Sequence, residues 1–96
     1  MKLSIRFTSQ FKKDLKLAQK QNKDLYKLFD IIEKIANCEP LPEKYKDHCL
    51  SGQYSNCREC HIEPDFLMIY RIEKDLVMLM LLRLGSHSEL FKKHSR

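Results

Sequence analysis

Residues 57–84 read CRECHIEPDFLMIYRIEKDLVMLMLLRL, and this stretch decides the fold. Three runs bounded by turn-forming residues predict strands over 57–63, 67–72 and 76–84. The runs are separated only by Pro64-Asp65 and by Glu73-Lys74-Asp75. Because connections this short join neighbouring antiparallel strands, the stretch predicts a three-stranded meander.

The residues before the meander predict one strand and two helices. Residues 3–7 alternate apolar and polar side chains, as a half-buried strand does. A first helix is expected after Ser9, which is a suitable N-cap residue. A second helix is expected over residues 25–36, where apolar residues recur every three or four positions after Asn22 or Asp24 as the cap.

The chain as a whole, residues 1–96, is predicted to be a single α+β domain. Two N-terminal helices would pack on a small antiparallel sheet, in the order β-α-α-β-β-β. Residues 40–56 contain the turn formers Pro40, Pro42 and Gly52 and predict a loop. A domain of this length buries only about two-thirds of its unfolded surface, so an open cleft is expected rather than an internal cavity.

The positive charge of the chain is unevenly distributed. Residues 1–37 contain nine Lys or Arg against four Asp or Glu, whereas residues 38–96 contain nine against nine. The excess therefore lies on the predicted helices, where it suits a polyanion such as RNA or forms an ordinary solvated lysine face. The longest apolar run, Leu76 to Leu82, is too short to span a bilayer, and no secretory signal is present. A cytosolic protein with reduced cysteines and no membrane partner is expected.

Candidate catalytic residues converge on one edge of the predicted meander. The end of its first strand, the start of its second and the end of its third share that edge. We therefore expect His61, Asp65, Phe66, Arg83 and His87 to cluster there. His48 is expected to join them from the preceding loop. Read one at a time, Asp65 is an ordinary turn residue, Arg83 a partner for Glu59 or Glu63, and each histidine a surface residue.

This set of side chains can cleave RNA without a metal ion or a cofactor. Such cleavage needs a base for the proton of the 2′-hydroxyl, an acid for the departing 5′-oxygen and a cation for the phosphate. Histidine can serve as either acid or base near neutral pH, and arginine matches phosphate oxygens. Phe66 or Phe91 would stack on an unpaired base. The product of this attack is a 2′,3′-cyclic phosphate.

Two competing patterns involve cysteine. Residues 57–61 match the C-x-x-C-H pattern of covalent haem attachment, and Cys49, Cys57, Cys60 and a histidine together would form a zinc site. In a strand, however, Cys57 and Cys60 lie on opposite faces, about 10 Å apart. That separation argues against haem and against a disulfide between them. A non-catalytic basic module that binds RNA or an acidic protein remains the alternative to an enzyme.

Five segments of the sequence occur together in a fixed order: Tyr45 to His48, Leu50 to Gly52, Arg58 to Asp65, Leu67 to Tyr70 and Arg83 to Phe91. At these residues the chain resembles the YafQ branch of the RelE-type bacterial toxins. It implies a type II toxin that acts in the bacterial cytoplasm as a ribosome-dependent endoribonuclease on messenger RNA. It also implies a cognate antitoxin, through which alone operator DNA would be contacted.

The resemblance further implies which residues form the site. The positions that match the family's active site are His48, His61, Asp65, Arg83, His87 and Phe91. We expect His87 to be the acid, His48 or His61 the base, Asp65 an orienting or proton-accepting carboxylate, and Arg83 the phosphate clamp. The expected substrate-binding residues are Phe66, Phe91, Lys46 and Arg58. Two positions depart from the pattern: Phe66 stands where tryptophan is frequent, and Cys49 where proline is frequent.

Overall fold

The computed structural model describes residues 2–91 of the chain. Its elements, in chain order, are β1 (Ser4–Phe7), α1 (Ser9–Lys20), α2 (Leu25–Ala36), β2 (His48–Cys49), β3 (Arg58–Glu63), β4 (Phe66–Glu73), β5 (Met78–Gly85) and α3 (His87–Leu90). Single 3-10 turns lie at Glu43–Tyr45, Gly52–Tyr54 and Lys74–Leu76. Within these residues no helix is long and apolar enough to cross a membrane.

The five strands form one sheet in the order β1-β5-β4-β3-β2. The predicted meander is confirmed, since β3, β4 and β5 pair antiparallel. The expectation of a purely antiparallel sheet is wrong in one detail, because β1 pairs parallel with β5. Parallel neighbours need a long connection, which the two helices and the meander together supply. The predicted loop over residues 40–56 also contains the short strand β2, paired with β3.

Both helices begin at side-chain caps. The Thr8 hydroxyl, rather than that of Ser9, accepts a hydrogen bond from the Phe11 amide and caps α1. The Asp24 carboxylate accepts from the Lys27 amide and caps α2, one of the two residues expected to do so. These contacts satisfy amides that have no partner within their own helix.

Side-chain alternation along the strands divides the sheet into two faces. Both helices pack on what we call the helix face, whose strand residues include Cys60, Ile62, Met68, Tyr70, Leu79 and Leu81. The opposite face, here called the open face, carries a smaller cluster formed by Cys57, Leu67, Ile69 and Leu90. Because neighbouring residues of a strand point to opposite faces, this division fixes which polar side chains can meet.

Candidate active site

Two of the predicted histidines and one glutamate reach the open face through strand pairing. His61 pairs with Leu67 and Glu59 pairs with Ile69, and both of these β4 residues belong to the open-face cluster. His48 on β2 lies directly opposite Glu59. Residues directly opposite in an antiparallel pair share a face, so all three side chains project from the same side of the sheet.

Three imidazoles form a continuous row, which we call the histidine row: His48, His61 and His87. The ring centroids of His48 and His61 are 6.3 Å apart, and those of His61 and His87 are 5.9 Å apart. Phe91 extends the row, with its ring centroid 5.7 Å from that of His87, and Tyr54 meets Phe91 edge to face. The predicted convergence of the histidines is therefore observed, although these residues are far apart in sequence.

The turn after β5 fixes the position of His87. Ser86 and Glu89 form a reciprocal capping box at the start of α3. The pKa of Glu89 lies below its ordinary value, chiefly because its carboxylate accepts a hydrogen bond from the Ser86 backbone amide. Gly85 leaves room for this contact, since a Cβ there would lie 2.8 Å from Glu89 Oε1. His87 is thus presented on a capped helical turn that begins directly after the sheet.

Asp65 meets His87 as predicted. Its Oδ1 atom accepts a hydrogen bond from the His87 backbone amide at 3.0 Å and lies 3.8 Å from His87 Nδ1. Both side chains are more than half exposed, with fractions of 70% for Asp65 and 59% for His87. The carboxylate therefore anchors the turn and faces the imidazole while leaving the ring open to a ligand.

Glu59 is the residue that the sequence analysis did not assign to the site. Its side chain is only 3% exposed, and its Oε1 atom lies 3.4 Å from His48 Nε2 and 3.5 Å from His61 Nε2. The suggested pairing of Arg83 with Glu59 is therefore wrong. A signal was present, because Glu59 and His61 are two residues apart in a strand and must share a face.

Arg83 is held at the edge of the sheet by a carboxylate from α1. Its Nε atom donates to Asp14 Oδ2 at 2.8 Å and its Nη2 atom to Asp14 Oδ1 at 3.4 Å. The hydrogen bond with Asp14 is the largest influence on Arg83 and raises its pKa above the ordinary value. The predicted alternative partners, Glu59 and Glu63, are not the ones it binds. Two of its three nitrogens are thus directed toward Asp14, which limits the part available as a phosphate clamp.

Phe66 lies in the core, which corrects the expectation that it stacks on a base. It is 1% exposed and belongs to the helix-face cluster, and the Lys23 ammonium lies 5.6 Å from its ring centroid. The cause is alternation along β4, which places Phe66 on the same face as Met68 and Tyr70. The adjacent Asp65 is in the preceding turn and is not bound by this alternation.

Arg58 also lies on the helix face, away from the histidine row, and its expected contact with substrate stays a prediction. It pairs with Cys49 on one side and Tyr70 on the other. Its Nε atom donates to Asp47 Oδ1 at 3.1 Å, its Nη1 atom donates to Cys49 Sγ at 2.9 Å, and the Tyr70 hydroxyl also donates to Asp47 Oδ1. Arg58 on β3 therefore binds both Cys49 of β2 and Asp47, the residue before β2.

Lys46 contributes its backbone to the site. Its carbonyl oxygen lies 2.6 Å from His48 Nδ1, while the residue itself is exposed and adopts a left-handed backbone conformation with φ of 49°. This conformation ends the 3-10 turn before β2 and turns the carbonyl toward the imidazole. The side chain is free of the core and accessible to a ligand.

The cysteines do not assemble into a common site. Cys57 belongs to the open-face cluster and Cys60 to the helix-face cluster, so the two lie on opposite faces, as the strand pattern predicted. Burial raises the pKa of the Cys60 thiol. Across residues 2–91, no group of three His, Cys, Asp or Glu side chains has an arrangement that would hold a metal ion.

The family model described as the bacterial toxin of type II toxin–antitoxin systems, YafQ, matches residues 3–92. The chain belongs to the YafQ family. The mRNA interferase toxin YafQ of Escherichia coli strain K12 is 43% identical to it over 88 residues, covering 91% of this chain and 94% of that protein.

Solved structures agree with this membership. A metal-bound toxin from Helicobacter pylori has a TM-score of 0.88 and 47% identity, covering 93% of this chain and 99% of that one. The YafQ chain of the E. coli DinJ–YafQ toxin–antitoxin complex has a TM-score of 0.85 and 39% identity, covering 95% of this chain and 99% of that one. The resemblance to YafQ toxins and the α+β fold, both predicted from the sequence, are thereby confirmed.

Both positions that depart from the YafQ pattern are accounted for locally. Phe66, at the position where tryptophan is frequent, fills the core beneath Lys23. Cys49, at the position where proline is frequent, accepts a hydrogen bond from Arg58. Neither change removes an imidazole or a carboxylate from the open face.

Proposed function

We propose that this YafQ-family toxin is an endoribonuclease that cleaves messenger RNA on the ribosome in the bacterial cytoplasm. The observation that carries the proposal is the histidine row. Its three imidazoles lie side by side on the open face, with an exposed carboxylate at one end. The E. coli relative carries the name mRNA interferase, which supports RNA as the substrate.

The proposed reaction needs only the protein's own side chains as acid and base. One imidazole takes the proton of the ribose 2′-hydroxyl, and the 2′-oxygen forms a bond to phosphorus. The bond from phosphorus to the 5′-oxygen breaks, and a second, protonated imidazole gives that oxygen its proton. The products are a 2′,3′-cyclic phosphate and a free 5′-hydroxyl, and no metal ion takes part in the proposed route.

Neighbouring groups suit this substrate. Phe91 is 38% exposed beside His87 and offers a face on which an unpaired base can stack. Protonated imidazoles supply positive charge toward the phosphate, which matters because Arg83 is largely engaged by Asp14. Asp65 orients the exposed His87 at the outer end of the row.

The proposed partners follow from the charge distribution and from the YafQ relatives. Lys12, Lys13, Lys16 and Lys20 are exposed on α1 and provide a basic surface for ribosomal RNA. YafQ of E. coli forms a complex with its antitoxin DinJ, and we propose that a cognate antitoxin neutralises this chain in the same manner. Operator DNA would be contacted only through that antitoxin.

The test is cleavage of a defined messenger RNA on purified ribosomes, with 5′-end mapping and analysis of the new 3′ termini. The proposal expects 2′,3′-cyclic phosphate ends, and it expects no cut when the cleaved nucleotide lacks its 2′-hydroxyl. It expects His87→Ala to lower the cleavage rate, because the change removes the imidazole that lies beside Phe91 at the outer end of the row. Ser88→Ala, one residue away on α3, is the matched control and should cleave normally.

The alternative of a non-catalytic binding module makes the opposite prediction. It expects His87→Ala to retain the effect on translation, and the double change Lys12→Glu with Lys16→Glu to abolish it. Wild-type protein that binds ribosomes and produces no new RNA ends would overturn the proposed activity. Cut ends bearing a 3′-hydroxyl would overturn the proposed route.

A further inference from the structure

Glu59 lies at the centre of the histidine row and has no other partner for its charge among the described ion pairs. It is the most deeply buried charged side chain of the open face, and its Oε2 atom is buried without a hydrogen-bond partner. A buried carboxylate is costly unless a cation or several donors compensate it. The Nε2 atoms of His48 and His61 are the groups positioned to do so.

The contacts of His48 determine where its protons lie. Its Nδ1 atom is 2.6 Å from the Lys46 carbonyl oxygen, which can only accept, so Nδ1 must carry a hydrogen. Its Nε2 atom faces Glu59 Oε1, and an ionised carboxylate also only accepts. Because both ring nitrogens face acceptors, the doubly protonated imidazolium is the form of His48 that satisfies both contacts.

The contacts of His61 differ in one respect. Its Nε2 atom lies 3.5 Å from the same Glu59 oxygen, and this contact favours the tautomer that carries its hydrogen on Nε2. A carboxylate that binds one imidazole N–H leaves the other nitrogen with its lone pair, as in a carboxylate–histidine pair of a hydrolase. His61 Nδ1 is then the basic nitrogen of the row.

The other charged groups near Glu59 and its two histidines bind different partners. Arg83 on β5 is bound by Asp14, and Asp65 holds the His87 amide. Arg58, adjacent to Glu59 in sequence, projects to the helix face. His87 approaches His61 by its ring, at 5.9 Å between centroids, and is the remaining titratable group at this pair.

We propose that Glu59 is a positioning residue that holds His48 as the cationic acid and His61 as the base with its free Nδ1 atom. This assignment differs from the sequence-based expectation that His87 is the acid. The proton placement stands by itself, whereas its catalytic consequence rests on the proposed ribonuclease function. The free Nε2 atom of His87 then serves substrate contact at the outer end of the row.

The protonation states can be measured directly by nitrogen-15 NMR of the imidazole rings in the full-length chain. An isolated histidine is about half protonated at pH 6.5. Because both ring nitrogens of His48 face acceptors, both should carry a hydrogen at that pH in most of the molecules. His61 should show its hydrogen on Nε2.

Glu59→Gln removes the charge while keeping the shape of the side chain. It should return His48 to half protonation or less at pH 6.5, with the remaining hydrogen on Nδ1 beside Lys46. Glu59→Asp keeps the charge and should retain most of the cationic form. Glu63→Gln, the same change at the end of the same strand, is the matched control and should leave both rings as in wild type.

The functional readout is the single-turnover cleavage rate on ribosomes. Glu59→Gln should lower the rate about tenfold or more without weakening ribosome binding, and Glu59→Asp should restore part of it. A wild-type His48 that is no more than half protonated at pH 6.5 overturns the inference and needs no variant to fold. The expected NMR result in a protein that cuts no RNA supports the proton placement and overturns the proposed function instead.

Discussion

Replacement of Asp14 by alanine tests whether the contact between α1 and the end of β5 stabilises the fold. Strand β1 pairs with β5 only as far as Leu81, so the next part of that edge needs another acceptor. The Asp14 carboxylate supplies it by accepting from the Leu84 amide at 2.9 Å and from Arg83 Nε at 2.8 Å. Gln10 Nε2 also donates to it, at 3.0 Å.

The expected cost is about 3 kcal/mol of unfolding free energy. Removal of one partner from a fully buried ion pair costs about 3–5 kcal/mol. Asp14 is only 8% exposed, but the Arg83 side chain is 23% exposed, so the lower end of that range applies. The Leu84 amide also loses its acceptor, which adds to the loss of stability because a buried donor without an acceptor is unfavourable. A loss of this size would be a large share of the roughly 5–15 kcal/mol typical of a small domain.

Urea unfolding at neutral pH, followed by circular dichroism, measures the change. With a slope of about 1.5 kcal/mol per molar urea, the midpoint should fall by about 2 M. Asp30→Ala is the matched control, since both aspartates are the sixth residue of a 12-residue helix. Asp30 is 63% exposed and paired only with Lys34 at i,i+4, so its loss should cost about 0.5 kcal/mol or less. Equal midpoints for the two variants would refute the reasoning.

Three further predictions concern separate parts of the molecule. Phe66→Ala should cost about 3–5 kcal/mol of unfolding free energy. Phe91→Ala should leave the urea midpoint nearly unchanged and lower RNA cleavage about tenfold, since stacking contributes about 1–3 kcal/mol per base. The reverse pattern would contradict the assignment of the two rings to opposite faces. Because the pKa of Glu89 is lowered in the folded state, the contribution of its carboxylate to stability is complete above about pH 4.5 and is lost as pH falls through the folded pKa. Glu89→Gln should therefore reduce the loss of stability between pH 7 and pH 3. An unchanged loss would exclude a stabilising role for the ionised carboxylate. Iodoacetamide should label the exposed Cys49 in the folded protein and the buried Cys60 only after unfolding. Mass spectrometry of the labelled peptides measures this difference. Labelling of Cys60 in the folded protein would contradict its placement in the core.

The sequence could predict those site residues whose position depends only on which strand end they occupy. His61, Asp65 and His87 lie at ends of the meander that share one edge, and they meet there. Phe66 was misplaced because proximity along an edge does not determine the face of the sheet on which a side chain lies. Alternation decides the face, and it sends Phe66 and Arg58 toward the helices while turning Glu59 toward His48.

The sequence by itself determined the first strand, the two N-terminal helices, the meander, the basic N-terminal half and the membership of the YafQ family. These properties depend on local periodicity, short connections and residue identity, which do not require the chain to be folded. Only the tertiary structure decided that β1 lies parallel to β5, that Asp14 binds Arg83 and that His48 lies opposite Glu59. Each of these contacts joins residues through the register of the sheet or the docking of a helix, and neither is encoded by the spacing of residues along the chain.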